Sequence, residues 1–344
     1  MRFSLALATL PVALVAAVPT GKRCTGTISS LNDAAPQKCT TININAFTVP
    51  AGKTFAILLS MARPSTCWVM LSLASPTGPV LFSLSPAITL SSMETATLLT
   101  AKDLHTGMGK MSGTYSNVKV LNSPAHVYSV SNPAKLVMSK LTIDNSAGDK
   151  PNSKSGGKAA GHNTDGFDVS TTDLTIEDST VYNQDDCIAI NKGSNIIFQR
   201  NTCSGGHGIS IGSVSAGATV KNIQILNNKV VNNDQALRIK TKADATNASV
   251  TNVVFNGNTA TGIKKYGVIV DQSYPSTLGT PGNKVAMSGI SFGTNNIAVT
   301  SDAQRVAVDC GAGCTGSWDW SGLKVTGGKA GKVYNYKNIK AGSY

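Results

Sequence analysis

Gly166-Phe-Asp-Val, Cys187-Ile-Ala-Ile, Gly208-Ile-Ser-Ile, Ala236-Leu-Arg-Ile and Gly267-Val-Ile-Val are strand-like runs that recur at steps of 21, 21, 28 and 31 residues. A second series alternates with them: Leu174-Thr-Ile-Glu-Asp, Ile196-Ile-Phe-Gln-Arg, Ile223-Gln-Ile-Leu-Asn and Val253-Val-Phe-Asn-Gly, each leading into a polar, turn-like stretch. Self-similarity at this period with strand-like units is the signature of a solenoid, in which each coil covers the apolar face of its neighbour. A β-sandwich also has short strands at regular spacing, but its hairpins do not repeat one pair of motifs in one order. The expected fold is all-β, a right-handed parallel β-helix. A short helix over residues 29–38, stitched by Cys24 and Cys39, is expected to cap its N-terminal end, which otherwise exposes strand edges.

Composition agrees. Of 344 residues, 41% are hydrophobic and 14% charged, enough apolar material for a large core. Gly (33) and Asn (27) abound while Glu occurs only at Glu94 and Glu177, which disfavours surface helices built on Glu/Lys pairs and favours strands and turns.

Met1-Arg2-Phe3 followed by an apolar run to Val18 has the layout of a secretory signal peptide, assigned to residues 1–17, with 18–23 as a pro-segment ending in Lys22-Arg23. The β-helix is then residues 24–344. No later apolar stretch is long enough to span a membrane. Removing Arg2, Lys22 and Arg23 takes three charges from the net +12 and leaves +9. That excess suits simple solubility or a polyanionic partner; an exported chain with no arginine cluster and no aromatic-basic stripe points away from nucleic acid and toward an acidic polysaccharide. Export also makes disulfides plausible, and six cysteines pair by proximity: Cys24 with Cys39, Cys187 with Cys203, Cys310 with Cys314, leaving Cys67.

Asp165, Asp186 and His207 precede successive members of the first series, 21 residues apart. Consecutive coils advance by about 4.8 Å, so these side chains stack on one face. Asp185 adds a third carboxylate. Arg238 and Lys240, two residues apart on the next coil, point to that same face. Glycosidic hydrolysis needs one carboxylic acid to protonate the departing oxygen and one carboxylate to act on water or sugar, and crowded carboxylates supply both because repulsion keeps one protonated. Asp and Asn on solenoid turns also form plain hydrogen-bonded ladders, the reading given to Asp173, Asp178 and Asn201. A Ca²⁺ site is the competing use of clustered Asp, disfavoured by the adjacent cations and His, and neither a metal nor a cofactor is expected.

These residues resemble a known family. Asn163-Thr-Asp-Gly-Phe-Asp168, Asn183-Gln-Asp-Asp-Cys187, Gly205-Gly-His-Gly-Ile-Ser-Ile-Gly-Ser213 and Arg238-Ile-Lys240 are similar to the four signature segments of fungal polygalacturonases, pectin-degrading glycoside hydrolases of family 28. The resemblance covers about residues 24–55 and 112–344. It implies inverting hydrolysis of α-1,4-linked galacturonan, with Asp185 as general acid, Asp165 and Asp186 as the pair that holds and activates water, and His207 supporting the acid. It further implies that Arg238 and Lys240 grip substrate carboxylates and that Tyr274 and Asn163 contact substrate. Coil spacing alone lies nearer the carboxylate separation of retaining enzymes; the resemblance favours inversion.

Two departures accompany it. A Gly-rich segment with Trp-Asp, expected within residues 90–110, is replaced by Ala101-Lys-Asp-Leu-His-Thr-Gly107, and no Cys follows Cys314 to close a final disulfide. Between Asn45 and Asn117 there is no Asn, and five of the eight Met fall there. Residues 56–111 are therefore anomalous, either a divergent set of coils or a stretch read out of frame, the second being favoured. The expectation is a secreted, monomeric endo-polygalacturonase acting on pectin, with a glycan on the sole sequon, Asn247-Ala-Ser249. The alternatives are an exo-acting or rhamnogalacturonan-cleaving relative, or an inactive pectin-binding β-helix.

Overall fold

The computed structural model describes residues 25–30, 41–44, 47–49, 54–60, 68–74, 80–84, 88–89, 112–123 and 125–344. From Gly113 onward the chain winds through three strand series in a fixed order, and strands of the same series pair in parallel with the next coil. This is a parallel β-helix. The first series is the one that carries the recurring Gly-Ile-Ser-Ile-like runs: Phe167, Ile188, Ile209, Leu237, Val268 and Val306 are successive register partners. Val169, Ile190, Ile211, Ile239, Val270 and Val308 form a second inward column two residues on. All twelve are 2% exposed or less, because period-two alternation sends every second residue into the lumen.

The second series supplies the column Met138, Ile176, Phe198, Ile225, Phe255 and Phe292. Phe255 and Phe292 stack at 4.4 Å, and Trp320 continues the pile at 4.7 Å from Phe292. The third series was not separated in the sequence. Several of its strands, Thr180–Tyr182, Thr202–Ser204 and Lys229–Val231, are three residues long and send one side chain inward each: Val181, Cys203, Val230. So short a run carries no readable alternation.

Asparagine holds the corners in two ways. Asp173, Asn195, Asn222 and Asn252 sit in the left-handed region at φ of 56, 55, 56 and 55°, where Asn and Asp are tolerated best after Gly, and their side chains hydrogen-bond in an exposed chain. Asn201, Asn228, Asn258 and Asn295 form a buried ladder. Each amide takes up a backbone N–H of the preceding rung and donates to a carbonyl of the second series: Ile176, Phe198, Ile225 and Phe255. The backbone groups of the turn are thus satisfied without water.

The N-terminal strands differ. Thr25–Ile28 pairs in parallel with Thr41–Ile44, but Thr54–Ser60 with Trp68–Ala74, and Phe47–Val49 with Val80–Leu84 and onward to Val118–Leu121, are antiparallel. Of the expected capping helix, Ser29 and Ser30 are described and are not helical; the rest, with Cys24, Cys39, Cys67 and the leader, lies outside the described residues. Among the described residues the only helical element is the 3-10 turn Ser146–Asp149, and no helix is long and apolar enough to cross a membrane.

Candidate active site

The turns that lead from the third series into the first carry most of the candidate site residues. They end in Asp185, His207, Asp234 and Lys265 on four consecutive coils, and their backbones are tied rung to rung by His207 N to Asp185 O (2.7 Å), Asp234 N to Gly206 O (2.9 Å) and Lys265 N to Asp234 O (2.8 Å). Close stacking here demands glycine. A Cβ on Gly206 would collide with the Asp185 carbonyl and the Asn183 side chain, and one on Gly208, at φ 87°, would strike the Gln235 carbonyl. Asn183 joins the two carboxylate-bearing coils by donating to Thr164 O and Asp186 O, both at 2.9 Å.

His207 Nδ1 lies 2.9 Å from Asp185 Oδ1, and its Nε2 faces Asp234 Oδ2 at 3.9 Å; Lys265 Nζ closes on the same Asp234 oxygen at 2.8 Å. The turn column is therefore a ladder of carboxylate, imidazole, carboxylate and ammonium. Burial on its own pushes the Asp185 carboxyl up, but its bond to His207, the imidazole's charge and the backbone N–H of Asp186 outweigh burial and hold it below the usual carboxylate range. His207 moves up in turn, chiefly through that bond.

Asp186 is 1% exposed and fully engaged. Its Oδ1 accepts from Ser210 Oγ (2.8 Å) and Arg238 Nη2 (2.6 Å), its Oδ2 from Lys240 Nζ (2.9 Å), and Arg238 Nε also donates to Ser210 Oγ at 2.9 Å. The alternation of Gln235–Lys242 does point Arg238 and Lys240 to one side, as expected, but their immediate partner is Asp186. Lys240 Nζ additionally sits 5.1 Å over the Tyr274 ring, which brings Tyr274 to the edge of the cluster. Asn163 is exposed two residues before Asp165, at φ 50°, and Asn247 is exposed on a separate turn.

Asp165 is 7% exposed. Burial, with the charges of Asp185 and Asp186, raises its carboxyl to about 7, and the nearby imidazole of His126 lowers it in part. Burial first, and the neighbouring carboxylates second, thus favour the proton on Asp165, whereas the sequence reading places it on Asp185. Neither His126 nor Asp234 is evident in the sequence: His126 stands alone on a coil whose first-series strand, Tyr128–Val130, is three residues long. Cys187, next to Asp186, is disulfide-bonded to Cys203, and Cys310 to Cys314.

Asp185, Asp186 and His207 bring donor atoms within 4.8 Å of one another. A divalent cation there would confront Arg238 and Lys240, already seated on Asp186, so the set is ill suited to a metal. Beside it a pocket of about 360 Å³ is lined by His207, Asp234, Gln235, Arg238, Lys265 and Tyr266, with Thr277 forming part of its wall. The arrangement offers a proton shared among close carboxyls, a cation-clamped carboxylate and an adjoining pocket rich in donors.

Residues 99–343 match the sequence profile described as Glycosyl hydrolases family 28. The chain is 37% identical to Endopolygalacturonase B of Emericella nidulans, an alignment covering 99% of this chain and 98% of that protein. It is 42% identical to Endopolygalacturonase I of Aspergillus aculeatus over 62% of this chain and 55% of that one. Among solved structures, endopolygalacturonase I from Stereum purpureum, complexed with two galacturonate, superposes with a TM-score of 0.63 at 49% identity, covering 68% of this chain and 69% of that chain. The endo-xylogalacturonan hydrolase from Aspergillus tubingensis follows at a TM-score of 0.53 and 27% identity, over 67% and 65%.

Proposed function

The chain belongs to glycosyl hydrolase family 28, and from that membership and the site's geometry we infer an endopolygalacturonase that hydrolyses the α-1,4-galacturonosyl linkages of pectin by single displacement with inversion. The observation that carries the reading is the stacking of Asp165, Asp185 with His207, and Asp186 with Arg238 and Lys240 on consecutive coils beside an open pocket.

In this reading Asp185 protonates the glycosidic oxygen as the bond to the anomeric carbon breaks, and water held by Asp165 and Asp186 attacks the opposite face. Of that pair, Asp186 is clamped by two cations and serves to orient the water. Asp165, whose carboxyl sits at about 7, is the better proton acceptor. The productive state needs the site's shared proton on Asp185 and Asp165 ionised. A polyanionic substrate favours that state, because its negative charge and its exclusion of water both raise the neighbouring Asp185 carboxyl. After turnover Asp165 has gained the water's proton and Asp185 has lost its own, so returning one proton restores the start. Arg238, Lys240 and Lys265 offer the positive charge that galacturonate carboxylates require.

Supporting the same reading are the two disulfides and the fungal relatives, which are consistent with export. Residues 1–17 act as a signal peptide and the protein works outside the cell as a monomer. An interrupted reading frame over 56–111 remains part of this reading, although the family match begins at residue 99, inside that stretch, and the alignment with the Emericella nidulans protein runs across it; sequencing the transcript there tests it. Incubation with polygalacturonate and sizing of the products tests the activity. Mixed oligomers support an endo-enzyme, monomers alone an exo-enzyme, and binding without cleavage an inactive pectin-binding β-helix; proton NMR of the first-formed reducing ends reads the stereochemistry.

A further inference from the structure

His126 lies on the coil preceding Asp165, with Val127 N donating to Asp165 O at 2.8 Å, so the two side chains are adjacent rungs of the outward column. Its Nε2 is 3.3 Å from Asp165 Oδ1 and its Nδ1 is 3.4 Å from Asp168 Oδ2. Asp168 is itself fixed from the far side by the Asn191 amide. The imidazole is about a quarter exposed (24%), close to the protein interior but open to protons. We propose that His126 is a positioning residue for the hydrolytic reaction: bridging Asp165 and Asp168 through its two ring nitrogens, it holds the Asp165 carboxylate toward the attacking water.

The inference rests on the function proposed above, and its logic is electrostatic. A ring with an acid at each nitrogen is best satisfied doubly protonated, since both nitrogens then donate. The groups acting on it are the Asp168 side chain first, then Asp165 and, farther off, Asp185; together they raise it above an ordinary histidine against the effect of burial. The resulting imidazolium opposes the charges of Asp185 and Asp186 on Asp165, making the ionised form of Asp165 easier to reach. The three carboxylates are in this way flanked by histidines at both ends, His126 against Asp165 and His207 against Asp185.

His126→Gln keeps a hydrogen-bonding side chain of similar size without the charge, and His126→Ala removes both. With polygalacturonate as substrate, both are expected to lower kcat about three- to tenfold with KM nearly unchanged, a factor of ten corresponding to one pKa unit on Asp165. The alkaline limb of the pH profile should move upward. A fall by one common factor at every pH, or an unaltered profile in a folded His126→Gln protein, overturns the proposal. A second readout needs no activity. Among four histidines, the His126 imidazole resonance should titrate above the usual histidine range and fall in Asp165→Asn. Ordinary titration indifferent to Asp165→Asn also overturns it, whereas a wild-type chain that cleaves no polygalacturonate counts against the enzymatic reading alone.

Discussion

The Arg238 guanidinium meets the Asp186 carboxylate at 2.6 Å across two coils of the solenoid, with the Ser210 hydroxyl wedged between them as donor to one and acceptor from the other. A cation read from the sequence as a grip for substrate thereby also holds Asp186, the carboxylate proposed to orient the water.

Arg238→Ala should accordingly lower kcat and raise KM together, since it leaves a buried carboxylate half-compensated and removes a partner for galacturonate. The loss in kcat/KM should be about a hundredfold or more on polygalacturonate and clearly smaller in its KM component on the methyl ester. Steady-state kinetics on both substrates check this. Equal KM effects would show that Arg238 serves Asp186 alone.

Asp185→Asn preserves shape and loses only the transferable proton. It should reduce kcat about a hundred- to ten-thousandfold with KM nearly unchanged and the melting temperature close to wild type. Turnover like that of the wild type would remove Asp185 from the proton transfer.

The dependence of kcat/KM on pH should be bell-shaped, because the proposed mechanism needs one proton on the Asp165–Asp185 pair. That proton is lost as pH rises through about 7, the value to which Asp165 is raised, with His207 losing its charge on the same side. A second proton arrives only below the ordinary carboxylate range, since Asp185 is lowered. The limbs belong to the coupled set and not to single residues. A rate that stays level from pH 6 to 9 would contradict the assignment.

Asn228→Ala should destabilise the protein by about 1–3 kcal/mol, because it takes the side-chain partner from the buried Asn201 backbone N–H and from the Phe198 carbonyl. Asn222→Gly, on the exposed ladder at φ 56°, should be close to neutral, glycine being at ease in that conformation. Thermal melts of the two variants give the contrast, and similar shifts would argue against a distinct role for the buried ladder.

Asn247 is exposed and should carry glycan when the chain is exported from a glycosylating host. Peptide mapping that finds it bare would indicate that the turn is shielded during export.

The solenoid was legible because its inward columns repeat as Phe167, Ile188, Ile209 and Leu237 at readable intervals, and the site because Asp165, Asp185, Asp186 and His207 ride on the same runs. What escaped is what repetition does not announce. Several strands of the third series turn only one residue inward, too few for a pattern. His126 and Asp234 acquire meaning only through neighbours a coil away, and no spacing within their own coils marks them. The clamp on Asp186 needed side-chain geometry: alternation predicts that Arg238 and Lys240 share a side, not that they converge on one carboxylate. Proton placement is harder still, since Asp165 and Asp185 differ by burial and by partners supplied from separate coils.

From Gly208 onward the coils lengthen without disturbing the lumen, because most of the added residues are extruded at one corner, as 215–218, 243–247 and 275–284, between the first series and the second. Thr277, from the longest of these, forms part of the pocket wall. The architecture separates two kinds of heritable change: insertions at this corner reshape the rim that meets a polymer, while the rungs bearing the carboxylates keep their register. A lineage can therefore vary which stretch of a long chain it accepts, by adding or trimming loops, with its acid–base apparatus left untouched.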